Sequence, residues 1–336
     1  MRRFLLASLL LLTLTARGFA DAPLSPPLPT KVRSETLSLV EGLLAHQRVL
    51  VLGDSITQDG RYVTFLEYYL HRFAPGAKCD LISIGLSSET MSGLTEPKHP
   101  APRPCILDRL DRALQAVKPQ VVLACYGMND GIYHPSSPAR LAAFNTGLAQ
   151  LIEKVRASGA RLVLITPPVF DPRPIRTRTV PAEAPEFGYN HPFVGYDAVL
   201  AELAAEETAR LAPGITVIDL HTPMAAALAT ERARDPNFTF SPDGVHPNDT
   251  GHLLMARTVA AGLGLTVPSL TPAAELAALR VDPLFALVRD RRALRSEAWL
   301  PFVGFTNGAT FKSASVAAAE QVVARLQGEI EALAAR

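Results

Sequence analysis

The sequence predicts a three-layer α/β/α sandwich on a doubly wound, five-stranded parallel sheet, with a helical extension after it. Three observations carry this. Five short apolar runs, 49–52, 79–84, 120–125, 161–165 and 216–220, alternate with segments of helical period. Within the runs apolar residues are nearly continuous, as expected of strands buried on both faces. Each pair of runs is separated by enough chain for a crossover helix, and right-handed crossovers place helices on both sides of such a sheet.

The chain has 336 residues, of which 48% are apolar and 19% charged, enough for one sizeable core and an appendage. Residues 1–20 stand apart from that core. Arg2 and Arg3 precede the apolar run Phe4–Leu14, and Gly18-Phe19-Ala20 supplies small residues where a signal peptidase reads them. A secretory signal peptide cut after Ala20 is expected, giving an exported protein. Cleavage removes Arg2, Arg3 and Arg17, so Lys plus Arg falls from 33 to 30 against 32 Asp plus Glu. A chain near −2 advertises no nucleic acid and no anionic membrane as partner. No later segment is apolar for long enough to span a bilayer. The cysteines, Cys79, Cys105 and Cys125, are too few and too irregular for a disulfide framework, although export permits a Cys79–Cys105 bridge.

Residues 21–33 hold Pro23, Pro26, Pro27 and Pro29 and read as an extended linker. A helix is expected over 34–45, then the first strand and the turn Gly53-Asp54-Ser55. The next helix, 62–73, carries Tyr62, Phe65, Leu66, Tyr69, Leu70 and Phe73 at helical spacing and stops at Pro75-Gly76. After the second strand comes a Pro-rich loop, 93–104, and a helix over 106–117. The third strand leads to Tyr126-Gly127-Met128-Asn129-Asp130-Gly131, and a helix spans 141–155. The fourth strand opens a long Pro- and Arg-rich stretch, 166–192. Loops of that length in a compact domain are often functional, here as a wall of a cleft. Helices over 194–211 and 224–233 flank the fifth strand, and Asn248 can cap a helix over 252–263. The domain therefore runs from 34 to 265. Residues 266–336 read as two helices, 283–296 and 313–335, joined by Trp299–Phe305 and suited to packing along the sandwich or to self-association.

A sheet in the order 2-1-3-4-5 has its topological switch point among its first three strands, whose C-terminal ends open into one crevice. Ser55, Gly85 and Asn129 follow those strands. A serine at a strand-to-helix turn exposes its hydroxyl and its own N–H together. It needs a base, and His246 is available. Asp243, three residues before it, can accept from the other imidazole nitrogen and fix the tautomer. The N–H groups of Ser55 and Gly85 and the Asn129 amide are candidate donors to an oxyanion. Taken singly, each has an ordinary turn role, and Asp54 reads as a turn stabiliser. Asp130 and Tyr126 are further candidates to line a substrate, and His134, Tyr189, Asn190 and His191 could also line the cleft but read first as surface-loop residues. Asp219 and His221 lack a third partner at ligand spacing, so no metal site is expected. No Gly-x-Ser-x-Gly elbow or phosphate-binding loop occurs.

Four stretches together resemble the signature blocks of the SGNH (GDSL-type) hydrolases. These are Gly53-Asp54-Ser55-Ile56-Thr57, Ser83-Ile84-Gly85, Gly127-Met128-Asn129-Asp130 and Asp243-Gly244-Val245-His246. The likeness covers roughly residues 46–265. Ser83 and Ser88 depart from the Asn and Gly that the second block often carries. The resemblance implies a flavodoxin-like fold and a serine esterase. Ser55 is then nucleophile, His246 base and Asp243 its orienter, with an oxyanion hole of Ser55, Gly85 and Asn129 and no cofactor. By analogy with exported members the expected substrate is an acetylated glycan. The alternatives are a lipid-acyl esterase or thioesterase, and an inactive glycan-binding domain that keeps the fold.

Overall fold

The computed structural model describes residues 42–304 and 315–335. The expected signal peptide, the linker and most of the helix expected over 34–45 lie outside them. The five strands are β1 (Arg48–Gly53), β2 (Asp80–Ser83), β3 (Val121–Cys125), β4 (Arg161–Ile165) and β5 (Ile215–Ile218). They pair in parallel in the order β2-β1-β3-β4-β5, as the sequence predicts. β3 is buried at every position, and β1 at all but Arg48. The ladder fixes register: Val51 pairs with Ser83 on one side and Leu123 on the other. Continuing it, Ile84 N–H donates to Val51 O and Leu86 N–H to Gly53 O, which brings Gly85 beside the turn after β1.

Ten α-helices complete the described residues: α1 (Ser55–Asp59), α2 (Arg61–Phe73), α3 (Leu110–Val117), α4 (Pro138–Ala157), α5 (Tyr196–Thr208), α6 (His221–Arg234), α7 (Asp249–Gly262), α8 (Pro272–Val281), α9 (Pro283–Phe302) and α10 (Val316–Ala334). α2 packs on α7, while α3, α4 and α5 pack in succession, as expected when the crossover direction reverses at β1. The sequence-based reading missed α1, a five-residue helix too short to show a period.

The C-terminal extension differs from the expected helix pair. A separate helix, α8, precedes α9, and α9 runs on through Trp299 to Phe302. Pro301 stands inside its last turn, and the helix ends two residues later at the Val303 C-cap. α9 lies along α2 and edge strand β2, and α10 lies on α9. The contact is polar as well as apolar. Arg291 pairs with buried Glu67 of α2, and Arg295 pairs with Asp80 and donates to Leu81 O at 2.9 Å. Glu320 of α10 accepts from Arg295 at 2.8 Å and from the Trp299 indole at 2.6 Å.

The Cys79–Cys105 bridge does not form, and all three cysteines are free thiols. Cys79 precedes β2, whereas Cys105 bridges Thr90 beyond the strand's far end. The two stand at opposite ends of the sheet, beyond disulfide reach. No described helix is long and apolar enough to cross a membrane.

Candidate active site

The turn after β1 is built by close packing and one cap. A Cβ on Gly53 would fall 2.6 Å from Cys125 O, so β3 can approach only because that position is glycine. Asp54 is the N-cap of α1, accepting from Ile56 N–H at 2.9 Å. Ser55 is thus the first helical residue, with its hydroxyl at the C-terminal edge of the sheet. Burial pushes the Asp54 carboxyl up to about 7, opposed by the Ile56 hydrogen bond and by the nearby His246. Asp54 supports the turn rather than meeting the cleft. Asp54→Asn, which keeps the cap acceptor, is expected to hold turnover of p-nitrophenyl acetate within about tenfold of the parent. Asp54→Ala should lower stability by about 1 kcal/mol in a denaturant titration.

His246 comes from the loop before α7. Its Nε2 stands 2.8 Å from Ser55 Oγ, and its Nδ1 stands 2.7 Å from Asp243 Oδ2. The other Asp243 oxygen accepts from His246 N–H at 2.8 Å and Val245 N–H at 3.0 Å. One tight turn thereby positions carboxylate and imidazole together. Burial disfavours the Asp243 anion, yet these hydrogen bonds outweigh it and hold the carboxyl well below the usual range. In return, the Asp243 hydrogen bond raises His246 above its ordinary value of 6.5, against the opposing effect of burial. An anionic Asp243 requires Nδ1 to carry the proton, leaving Nε2 free to accept from Ser55 in the neutral imidazole.

Three groups are the candidate oxyanion donors. The N–H groups of Ser55 and Gly85 have no acceptor among the described residues. Gly85 is in close contact with α1: a Cβ there would lie 2.4 Å from Gln58 N and 2.5 Å from Thr57 C. Asn129 is buried, and its amide is oriented at both ends. Tyr133 OH donates to Oδ1 at 3.0 Å, and Nδ2 donates to Glu89 O at 3.2 Å. That assignment leaves the second Nδ2 hydrogen for the cleft.

Ser55, Asn129 and His246 line one cleft of roughly 660 Å³. Its far walls come from the loops 93–104 and 181–192. Arg103 and Glu96 form a buried pair, with Nη2 to Oε1 at 2.6 Å, and Tyr189 N–H donates to Glu96 Oε1 at 3.3 Å. The Lys98–Glu186 ion pair joins the two loops near the surface.

The expected lining residues need correction. Tyr126 and Asp130 are each 1% exposed and do not reach the cleft. Tyr126 OH donates to Glu89 Oε2 at 2.6 Å. Asp130 accepts from Met91 N–H and Ser92 N–H at 2.7 Å each and from Gly127 N–H at 3.0 Å, so it ties the Asn129 turn to the 90s loop. Tyr189, Asn190 and His191, read as surface residues, do line the cleft. His134 does not, and packs on Phe187 instead. Asp219 accepts from Thr222 N–H at 3.1 Å in the first turn of α6. Among the described residues no group of three or more His, Cys, Asp or Glu could hold a metal ion. Sequence reasoning missed Glu89, Glu96, Arg103 and Arg109, single charges in irregular segments whose pairing leaves no periodic signal.

The family model described as GDSL-like Lipase/Acylhydrolase family matches residues 51–254. No curated protein matches the chain. Among solved structures, it is similar to BT4096, a gut microbial diltiazem-metabolizing enzyme. That match has 18% identity and a TM-score of 0.48 over 66% of this chain, and spans only 48% of the other. It is also similar to a catalytic mutant of Axe2, an acetylxylan esterase from Geobacillus stearothermophilus. There the identity is 19% and the TM-score 0.47, over 68% of this chain and 99% of the other.

Proposed function

As a member of the GDSL-like lipase/acylhydrolase family, this chain is a carboxylic ester hydrolase, and we propose that it is an exported serine esterase removing short acyl groups, acetyl first among them, from carbohydrate hydroxyls. The observation that carries the serine mechanism is the run of contacts Asp243–His246–Ser55 at 2.7 and 2.8 Å on the floor of the cleft.

In this mechanism His246 Nε2 takes the Ser55 hydroxyl proton as Oγ attacks the ester carbonyl. The carbonyl oxygen, now anionic, receives hydrogen bonds from Ser55 N–H, Gly85 N–H and Asn129 Nδ2. Collapse of the tetrahedral intermediate breaks the C–O bond to the alcohol, which leaves with the proton from His246. A water then attacks the acyl-Ser55 ester and gives its proton to His246. Oγ departs and recovers that proton, releasing the carboxylic acid.

The substrate proposal rests on the cleft walls. Lys98, His99, Asn190 and His191 offer polar contacts, while Phe187 and Tyr189 offer flat apolar faces. Polar groups interleaved with aromatic rings suit a sugar, which has hydroxyls at its edge and C–H groups on its faces. A long acyl chain would instead need a continuous apolar channel. Export rests on residues 1–20 of the sequence.

Acyl preference is the test. The protein is expected to hydrolyse p-nitrophenyl acetate with kcat/KM at least about tenfold above that for the octanoate, a difference of ~1.4 kcal/mol in transition-state binding. It should also release acetate from acetylated xylan. A preference for octanoate, or no acetate from any acetylated glycan, would overturn the substrate reading and favour a lipid-acyl esterase.

A further inference from the structure

Beneath the proposed oxyanion site lies a buried ion pair that neither acts on the ester nor touches the cleft. Arg109, just before α3, is 2% exposed, and Glu89 is fully buried. The guanidinium meets the carboxylate through two parallel contacts, Nε to Oε1 at 2.6 Å and Nη2 to Oε2 at 2.7 Å. Burying such a pair costs several kcal/mol of desolvation, and it is weak evidence for stability in itself. What distinguishes this one is where its remaining contacts go.

Arg109 Nη2 also donates to Ile84 O at 2.8 Å. That carbonyl belongs to the same planar peptide as Gly85 N–H, and in a trans peptide the two point in opposite directions. A cation held on Ile84 O therefore fixes the plane and aims Gly85 N–H away from it. It also polarises the amide so that the N–H becomes a stronger donor. The Glu89 backbone carbonyl accepts from Asn129 Nδ2 at 3.2 Å, which locks the second donor. The turn that carries Glu89 is closed by its N–H donating to Leu86 O at 3.1 Å, next to Gly85. Two of the three donors are thus set by one ion pair from behind.

We propose that Arg109 and Glu89 are positioning residues: Arg109, clamped by the Glu89 carboxylate, orients and polarises the Ile84–Gly85 peptide toward the oxyanion, while the Glu89 carbonyl fixes Asn129. This rests on the serine-esterase reading of the site. The contribution belongs to the transition state, in which the carbonyl oxygen gains its charge, and not to ground-state binding.

Arg109→Lys tests it. Lysine keeps a cation opposite Glu89, so no buried carboxylate is left unpaired, but an ammonium cannot hold a carboxylate and a carbonyl in one rigid plane. The expected result is a ~10–100-fold loss of kcat on p-nitrophenyl acetate, with KM within about threefold of the parent. Inhibition by phenylboronic acid, whose tetrahedral serine adduct carries an oxygen into the same site, should weaken by a similar factor. The acid limb of the pH profile should stay in place, because His246 and Asp243 are untouched. A kcat and a boronate affinity both within twofold of the parent would overturn the proposal. If Arg109→Lys does not fold, the paired Glu89→Gln, Arg109→Met variant, which removes both charges together, is read by the same criteria. Asn129→Ala and Ser55→Ala run alongside. If they lose activity and the Arg109 variant does not, only the positioning role falls. If Ser55→Ala remains active, the serine reading itself falls.

Discussion

Ser55→Ala is expected to lower kcat for ester hydrolysis by about 10⁵–10⁶-fold while leaving the fold intact. The hydroxyl contributes one hydrogen bond, at 2.8 Å to His246, and the site is half-open, so deleting one oxygen opens no buried cavity. The turn itself is held by Gly53 packing and the Asp54 cap, neither of which involves the hydroxyl. In the proposed mechanism catalysis depends on it wholly, because no acyl-enzyme can form without it. Loss of the nucleophile removes nearly the full benefit of a serine triad, leaving about 10³–10⁴-fold over water from the oxyanion donors and binding. The check is burst-free turnover of p-nitrophenyl acetate together with an unchanged melting temperature. A variant that kept a tenth of the parent rate would sink the mechanism.

Asp243→Asn is the second large effect, with an expected loss of about 10⁴-fold in kcat. An asparagine in this turn can accept the two backbone N–H bonds but cannot favour the Nδ1–H tautomer as a carboxylate does. Its pH signature has a definite sign. The base must be neutral, so activity falls as pH drops through the pKa of His246. In the parent the Asp243 hydrogen bond raises that pKa above the ordinary 6.5, placing the acid limb of kcat/KM above 6.5. Without the carboxylate the largest raising influence is gone while burial still lowers the value. The residual activity of Asp243→Asn should therefore show its acid limb shifted to lower pH. A limb unmoved by the substitution would count against Asp243 as the partner of the base.

The sheet was legible because its physics is repetitive. Five buried strands in a parallel order leave five nearly continuous apolar runs, and the switch-point rule then directs attention to the strand ends that carry Ser55, Gly85 and Asn129, of which Ser55 and Asn129 line the cleft. Asp243 and His246 could be read because they stand only three positions apart in one turn and their chemistry is unusual as a pair. The remainder of the site was hidden for a different reason. Tyr126 and Asp130 stand beside Asn129 in sequence, but the chain turns there, and the residues flanking the turn face the interior. Conversely, Tyr189 and His191 reach the cleft only because the 181–192 loop folds back on the 90s loop through Glu96. Single contacts between irregular segments have no period, so neither the Glu96–Arg103 nor the Glu89–Arg109 pair was visible before folding brought them together. In the extension, Trp299–Phe302, expected as part of a join between two helices, belong to α9.

The polar seam between α9 and the sheet edge also bears on how this chain can be divided. The family likeness stops at residue 254, which invites cutting the molecule near there into a hydrolase and a dispensable tail. Glu67 argues otherwise. It lies inside the matched region, is 1% exposed, and takes its hydrogen bond from Arg291 of the tail. A chain shortened before Pro272 would keep that carboxylate and lose its cation, a change of the kind that costs ~3–5 kcal/mol. It would also uncover the outer side of β2, an open strand edge ready to pair with a neighbour. The segment with no part in the chemistry is thus structurally inseparable from the one that has it, and residues on α2 have become dependent on a partner more than two hundred positions away.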